Sequence, residues 1–213
     1  MGAYLDILIY ALVAGILFFW LFSVLGKRTG YEKTQEEMIS SDEELENQNA
    51  KIIDWPKTPI FIDENARLRV QEIKQKDPNF SEHHFIAGAK YAFETILMAF
   101  SNGDLETLKT LLSPETYKGF EATIIERKNR HDNQVTRLEN IKEVMITDAY
   151  YDEPKCYVTV RYVSEQINVT YDEQNRVLEG DPDHFIILKD LWTFKRDPNS
   201  SDPVWLLAKT RSE

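Results

Sequence analysis

Hydrophobic and polar positions divide the chain into three regimes. From Ile7 to Leu25 the run ILIYALVAGILFFWLFSVL is apolar throughout and carries no charge. As a helix it would rise roughly 28 Å, close to the hydrocarbon thickness of a bilayer, so it reads as one transmembrane span. Tyr4 and Trp20 stand near its ends, where amphipathic rings settle. A cleaved signal peptide fits less well: Asp6 is the only charge before the run, and no clear small-residue cleavage site follows. From Thr34 to about Gln75 no apolar period is sustained. The stretch EEMISSDEELENQNAK is too polar to offset its own ordering entropy and reads as a solvated spacer. Further on, Trp55, Ile60, Phe61 and Ile62 in IIDWPKTPIFID read first as more spacer and second as a peptide docking on the domain itself or on a partner, and the prolines favour an extended backbone. Asp63 to Lys76 suits a short charged helix with Asp63 as its N-cap.

Regular structure is expected from near Asp77. Phe85, Ala89, Phe93, Ile96 and Phe100 recur at helical spacing, and Gly103 supplies a stop. Asp104 caps a second, short helix carrying Leu105, Leu108, Leu111 and Leu112. Ser113-Pro114 opens a third, whose stripe is Tyr117, Phe120 and Ile124. Then the period changes to two. KCYVTVRYVSEQINVTY puts Cys156, Val158, Val160 and Tyr162 on one face of a long strand and Tyr157, Thr159, Arg161 and Val163 on the other. A strand over Val135 to Tyr151 precedes it, a turn at Asp172 to Asn175 follows, and Phe185 to Phe194 and Val204 to Thr210 complete the set. The order describes an α+β fold: about three N-terminal helices packed on one face of a curved antiparallel sheet of about four strands. The expected organisation is an anchor over 1–26, an acidic, mostly flexible linker over 27–76 and a folded domain over 77–213.

Charge orients this plan. The formal charge of -11 over 213 residues argues against nucleic acid, which calls for clustered Lys and Arg. Lys27 and Arg28 stand directly after the apolar run and nothing basic but the amino terminus precedes it, so the N-terminus is expected outside and the domain in the cytoplasm. Ala11 and Gly15 form a small-xxx-small pair that reads as chance spacing before helix packing. Cys156 is the single cysteine and has no partner for an intramolecular disulfide.

Catalytic chemistry finds little footing. His83 and His84 are adjacent and diverge by about 100° on a helix, which is wrong for joint metal ligation. His131 sits in a polar loop and His184 opens a strand. No nucleophile elbow, phosphate loop or HExxH is present, and Cys156 alternates with core positions. Glu94 and Asp190 would serve as general bases only in a dry pocket. Arg161 and Arg196 are available to pair with them, and Asp197 suits turn capping. Neither a metal nor a cofactor is expected. The sequons at Asn168 and Asn199 carry little weight in a cytoplasmic domain.

Particular residues add a resemblance. Leu25-Gly26-Lys27-Arg28-Thr29-Gly30 closes the anchor; Asp77-Pro78-Asn79-Phe80, Phe85-Ile86-Ala87-Gly88-Ala89-Lys90-Tyr91-Ala92-Phe93-Glu94 and Gly103-Asp104 mark the first helix. Tyr117-Lys118-Gly119-Phe120, Tyr162-Val163-Ser164-Glu165, Gly180-Asp181-Pro182, Asp190-Leu191-Trp192-Thr193-Phe194 and Asp202-Pro203-Val204-Trp205 follow in order. Together Asp77 to Thr210 resembles the C-terminal domain of the mitochondrial import inner membrane translocase subunit Tim-forty-four, especially its bacterial membrane-anchored relatives. The resemblance implies a cone fold of the nuclear transport factor 2 type and a bacterial inner-membrane setting. It also implies a likeness to the import-motor tether, with a protein or chaperone partner at the inner membrane. The scarcity of catalytic motifs points to a non-enzymatic role, and the large apolar side chains make a lipid a further candidate partner. On such a cone Phe93, Leu97, Phe100, Phe120, Trp192 and Trp205 are expected to converge on an apolar pocket or groove. A scaffold of a secretion or envelope complex, and a small-molecule enzyme on the same cone, stand as alternatives.

Overall fold

A computed structural model describes residues 60–213. The apolar run Ile7 to Leu25, the flanking Lys27 and Arg28, the Ala11/Gly15 pair and Trp55 lie outside the described residues. Among the described residues no helix is long and apolar enough to cross a membrane.

Each helix begins on a side chain that satisfies an otherwise unpaired amide. In α1 (Glu64–Lys76) Asp63 accepts from the Ala66 amide at 2.8 Å. In α2 (Glu82–Asn102) Ser81 takes the same role for His84, and in α3 (Leu105–Leu111) Asp104 does so for Thr107. In α4 (Pro114–Asn129) Ser113 caps and Pro114 stands in the first turn, where its missing N–H costs nothing. Gly103, at φ 66°, ends α2 in the left-handed conformation that glycine adopts without steric penalty.

The strands are β1 (Asn133–Asp152), β2 (Lys155–Tyr171), β3 (Val177–Glu179), β4 (Ile186–Arg196) and β5 (Leu206–Ser212). They form one antiparallel sheet in the order β1-β2-β4-β5, with the short β3 pairing the end of β2 beyond β4. Register shifts after Leu138, Ile141 and Ile146 place three irregularities in β1, each a site where a strand bends. The α+β class and the order of elements agree with the sequence reading, with one more helix and one more strand.

The extra helix moves the start of the folded part. Ala66, Val70 and Ile73 are buried at i, i+4 and i+7, a stripe that packs α1 on β1. Upstream of it, the Ile146 amide donates to the Ile60 carbonyl at 2.7 Å and Ile62 donates back to Ile146 at 3.0 Å. Phe61 thereby pairs in parallel with the open edge of β1. Ile60 and Phe61 are half-buried against the core. The chain from Ile60 to Lys76 therefore packs with the rest of the described residues. Of the suggested docking peptide, Ile60 and Phe61 dock on the domain itself.

Helices cover the face of β2 that carries Cys156, Val158, Val160 and Tyr162, all fully buried as the alternation predicts. Tyr162 ties the layers together: its ring stacks on Phe93 at 4.2 Å and its hydroxyl donates to the Ala89 carbonyl at 2.9 Å.

Candidate functional site

The six side chains expected to meet in one groove lie at different places along the core. Phe93 is fully buried and packs with Trp192 and Tyr162 in the middle of the sheet. Phe100 meets Phe120 edge to face at 5.1 Å where α2 ends, and the Arg127 guanidinium covers the Phe100 ring. Trp205 closes the other end against Phe80 and Phe85. Leu97 lies half-buried on α2 against the same core. The sheet spreads these residues along its length.

Buried charge at both ends is structural. Arg127 donates to the Phe100 and Ser101 carbonyls at 2.8 and 3.0 Å and also to Gln134, satisfying the last carbonyls of α2 and joining it to β1. Arg196 pairs with the buried Asp77 and lies over Trp205, which fastens the α1–α2 junction to β4. Arg161 pairs with Glu143 and Glu213. Neither arginine reaches Glu94 or Asp190, the partners suggested from sequence. Asp197 caps its turn as expected, accepting from the Asn199 amide.

Glu94 forms a ridge between two shallow hollows. One lies between α2 and α3 and is lined by Thr95, Met98, Asn102, Asp104 and Thr107. The other lies between α2 and β1 and is lined by Lys90, Met98 and residues 136–141. None of the six candidate pocket residues lines either hollow. Asp190 sits opposite Tyr162 and Ser212 in the sheet, accepts from the Ser212 hydroxyl at 3.2 Å, and burial pushes its carboxyl up to about 6. Cys156 is fully buried, and that burial raises its thiol above the ordinary value. His131 pairs with Glu173 and His184 with Asp181, both at the surface. Among the described residues no three His, Cys, Asp or Glu side chains come together as metal ligands.

Two features, one buried and one exposed, are not legible in the sequence pattern. Ser164 and Gln166 are buried on the inner face of β2, where Gln166 donates to Ser164 at 2.8 Å and Asn168 to Gln166 at 3.3 Å. Beyond them, Val177 to Ile187 presents large apolar side chains to solvent. A three-residue strand and its loop are too short to show a period, so only the clustering of Val177, Leu178, Phe185, Ile186 and Ile187 beside acidic residues could have marked it.

The folded unit as a whole can be compared with known proteins. A mitochondrial import inner membrane translocase subunit, TIM44-1 of Arabidopsis thaliana, is 25% identical over 146 residues, which is 64% of this chain and 30% of that protein. The probable mitochondrial import inner membrane translocase subunit tin-44 of Caenorhabditis elegans is 25% identical over 159 residues, 72% of this chain and 37% of that protein. The chain thus spans about a third of the length of these relatives. Among solved structures, the intermembrane space region of the chloroplast protein ARC6 aligns with a TM-score of 0.44 at 12% identity, over 58% of this chain and 92% of that one. The Tim44-like domain model matches residues 66–212, from the first turns of α1 to the end of β5, and the chain belongs to that family.

Proposed function

We propose that this chain is a membrane-tethered, non-enzymatic interaction module of an inner-membrane protein translocase. The observation that carries the reading is the Tim44-like match over residues 66–212, which takes in nearly all of the packed unit and includes α1. The named relatives are translocase subunits, and a shared domain supports a shared setting. The run Ile7 to Leu25 supplies the anchor, and Lys27 and Arg28 direct the domain to the cytoplasmic side of a bacterial inner membrane. Ile60 to Ile62 pairs with the open edge of β1 at Ile146.

Dispersal of the titratable groups supports binding over catalysis. Glu94 and Asp190 belong to different surroundings, and the buried arginines are committed to Asp77 and to helix carbonyls. A protein of the translocase is the first partner class. A lipid tail against Leu97, Phe100 and Phe120, all half-buried, is the second. Photo-crosslinking of the full chain in its native membrane tests the reading. Adducts with translocase components are expected; a well-folded, membrane-held chain that yields none would refute it. A reporter fused after Glu213 tests orientation: activity on the cytoplasmic side is expected, and activity only outside would reverse it.

A further inference from the structure

Between Val177 and Ile187 the chain exposes what it buries elsewhere. Val177 is 46% exposed, Leu178 56%, Phe185 52%, Ile186 37% and Ile187 54%. Scattered apolar residues are ordinary on a surface, but five large ones within eleven positions mark a contact surface. The segment is held in place from behind. Gly180 has φ +88°, and a Cβ there would lie 2.0 Å from the Asn168 carbonyl oxygen, so its backbone lies directly against β2.

The same segment is an open sheet edge. β5 pairs with β4 only from Asp190 onward, and Glu213 adds one bond to the Lys189 carbonyl. Among the described residues nothing pairs with the outer edge of Ile186 to Leu188, or with the outer edge of β3. Ile186 and Ile187, opposite Gln166 and Glu165 on β2, point to opposite faces, so a strand laid on this edge would find apolar contact on both sides. Charge completes the description. Glu179 ends β3, and Asp181 and Asp183 lie in the loop after it. Asp172 and Glu173 are in the turn before β3 and pair with Arg176 and His131, Asp181 pairs with His184, and Lys189 follows the edge. Among the described residues this leaves Glu179 and Asp183 as the carboxylates nearest to the edge in the chain without an ion pair.

We infer that the edge formed by β3 and Ile186 to Leu188 receives an extended protein segment that alternates apolar and cationic side chains and joins the sheet as an added strand. Main-chain hydrogen bonds would supply affinity, and the exposed apolar residues and carboxylates would select the sequence. A second copy of this chain would set acidic rim against acidic rim. Anionic lipid or nucleic acid would meet the same repulsion. The inference rests on the reading of the domain as an interaction module and names one of its surfaces.

Fluorescence anisotropy with the full chain in non-ionic detergent provides the test. The probe is a labelled ten-residue peptide alternating valine and lysine. Saturable binding is expected, roughly tenfold weaker in a Glu179→Lys/Asp183→Lys chain and in Ile187→Ser, and lost when alternate peptide nitrogens are methylated. Equal binding of a valine–glutamate peptide, no binding of the lysine peptide, or unchanged binding by Ile187→Ser would overturn the inference. Because a variant could fold poorly, amide exchange in the wild-type chain gives a second reading. Saturating peptide should slow exchange at Ile186 to Leu188, and no slowing there counts against the site. If Ile187→Ser still crosslinks to translocase components while the peptide fails, the edge is wrong and the module reading stands. If the wild-type chain crosslinks to none, the module reading itself fails.

Discussion

At its near end β2 turns Cys156, Val158, Val160 and Tyr162 inward, whereas past Tyr162 the same face carries Ser164 and Gln166, equally buried, and Ile167 and Val169 bury on the opposite face. The near end is held by apolar contact: Phe93 stacks on Tyr162, and Trp192 and Phe194 follow on β4. The far end is held by a ladder of amides and a hydroxyl, which is stable only while each member has its partner. Apolar packing tolerates change in shape; a polar ladder fixes register. The far end is also where the sheet opens into the exposed segment at Val177 to Ile187. One strand thus joins a region built for stability to a region built for presentation.

The contrast can be broken most severely at the near end. Phe93→Ala should cost about 3–5 kcal/mol, because a fully buried ring leaves a cavity among Tyr162 and Trp192. Urea unfolding measures it, and a loss under about 1 kcal/mol would mean that the rings are not the centre of stability. At the far end Gln166→Leu should cost about 1–3 kcal/mol despite its similar size, since Ser164 and Asn168 lose their shared partner. A neutral result would show the ladder to be dispensable.

Asp190 stands at the junction, opposite Tyr162, and sharpens the comparison through pH. Its folded value of about 6 exceeds the ordinary 3.8, so the folded state holds the proton more tightly and stability falls as pH rises through that interval. Asp190→Asn should therefore be more stable than wild type at pH 7 by about 1–2 kcal/mol and equal to it below pH 4. Thermal unfolding at the two pH values checks this, and a gap of the same size at both would assign the effect to packing. The smallest change is expected on the exposed segment, where Leu178→Ser should alter stability by less than about 0.5 kcal/mol. A larger loss there would make that segment part of the core.

How much of this could be read in the residues follows the same division. Helix starts carry local chemistry, so Asp104 and Ser113-Pro114 located α3 and α4, and Gly103 located the end of α2. The near end of β2 alternates without interruption, and its inward face was legible at once. Helix α1 was visible as a helix, but three small or branched residues among charges do not reveal that it packs. Ser164 and Gln166 look like surface residues because their burial depends on partners two positions along the same strand. Where the five rings and Leu97 of the expected groove come to lie along the sheet, with its three register shifts in β1, is a tertiary fact that no local period encodes.

The central claim, a domain held at a membrane by its N-terminal run in order to bind a protein of the translocase, is tested most directly by crosslinking in native membranes with and without residues 1–26. The full chain should resist alkaline extraction and give adducts with translocase components. The shortened chain should be released by the wash and give the same adducts in solution, though fewer. A shortened chain that stays with the membrane, or a full chain that folds and gives no such adducts, would contradict it.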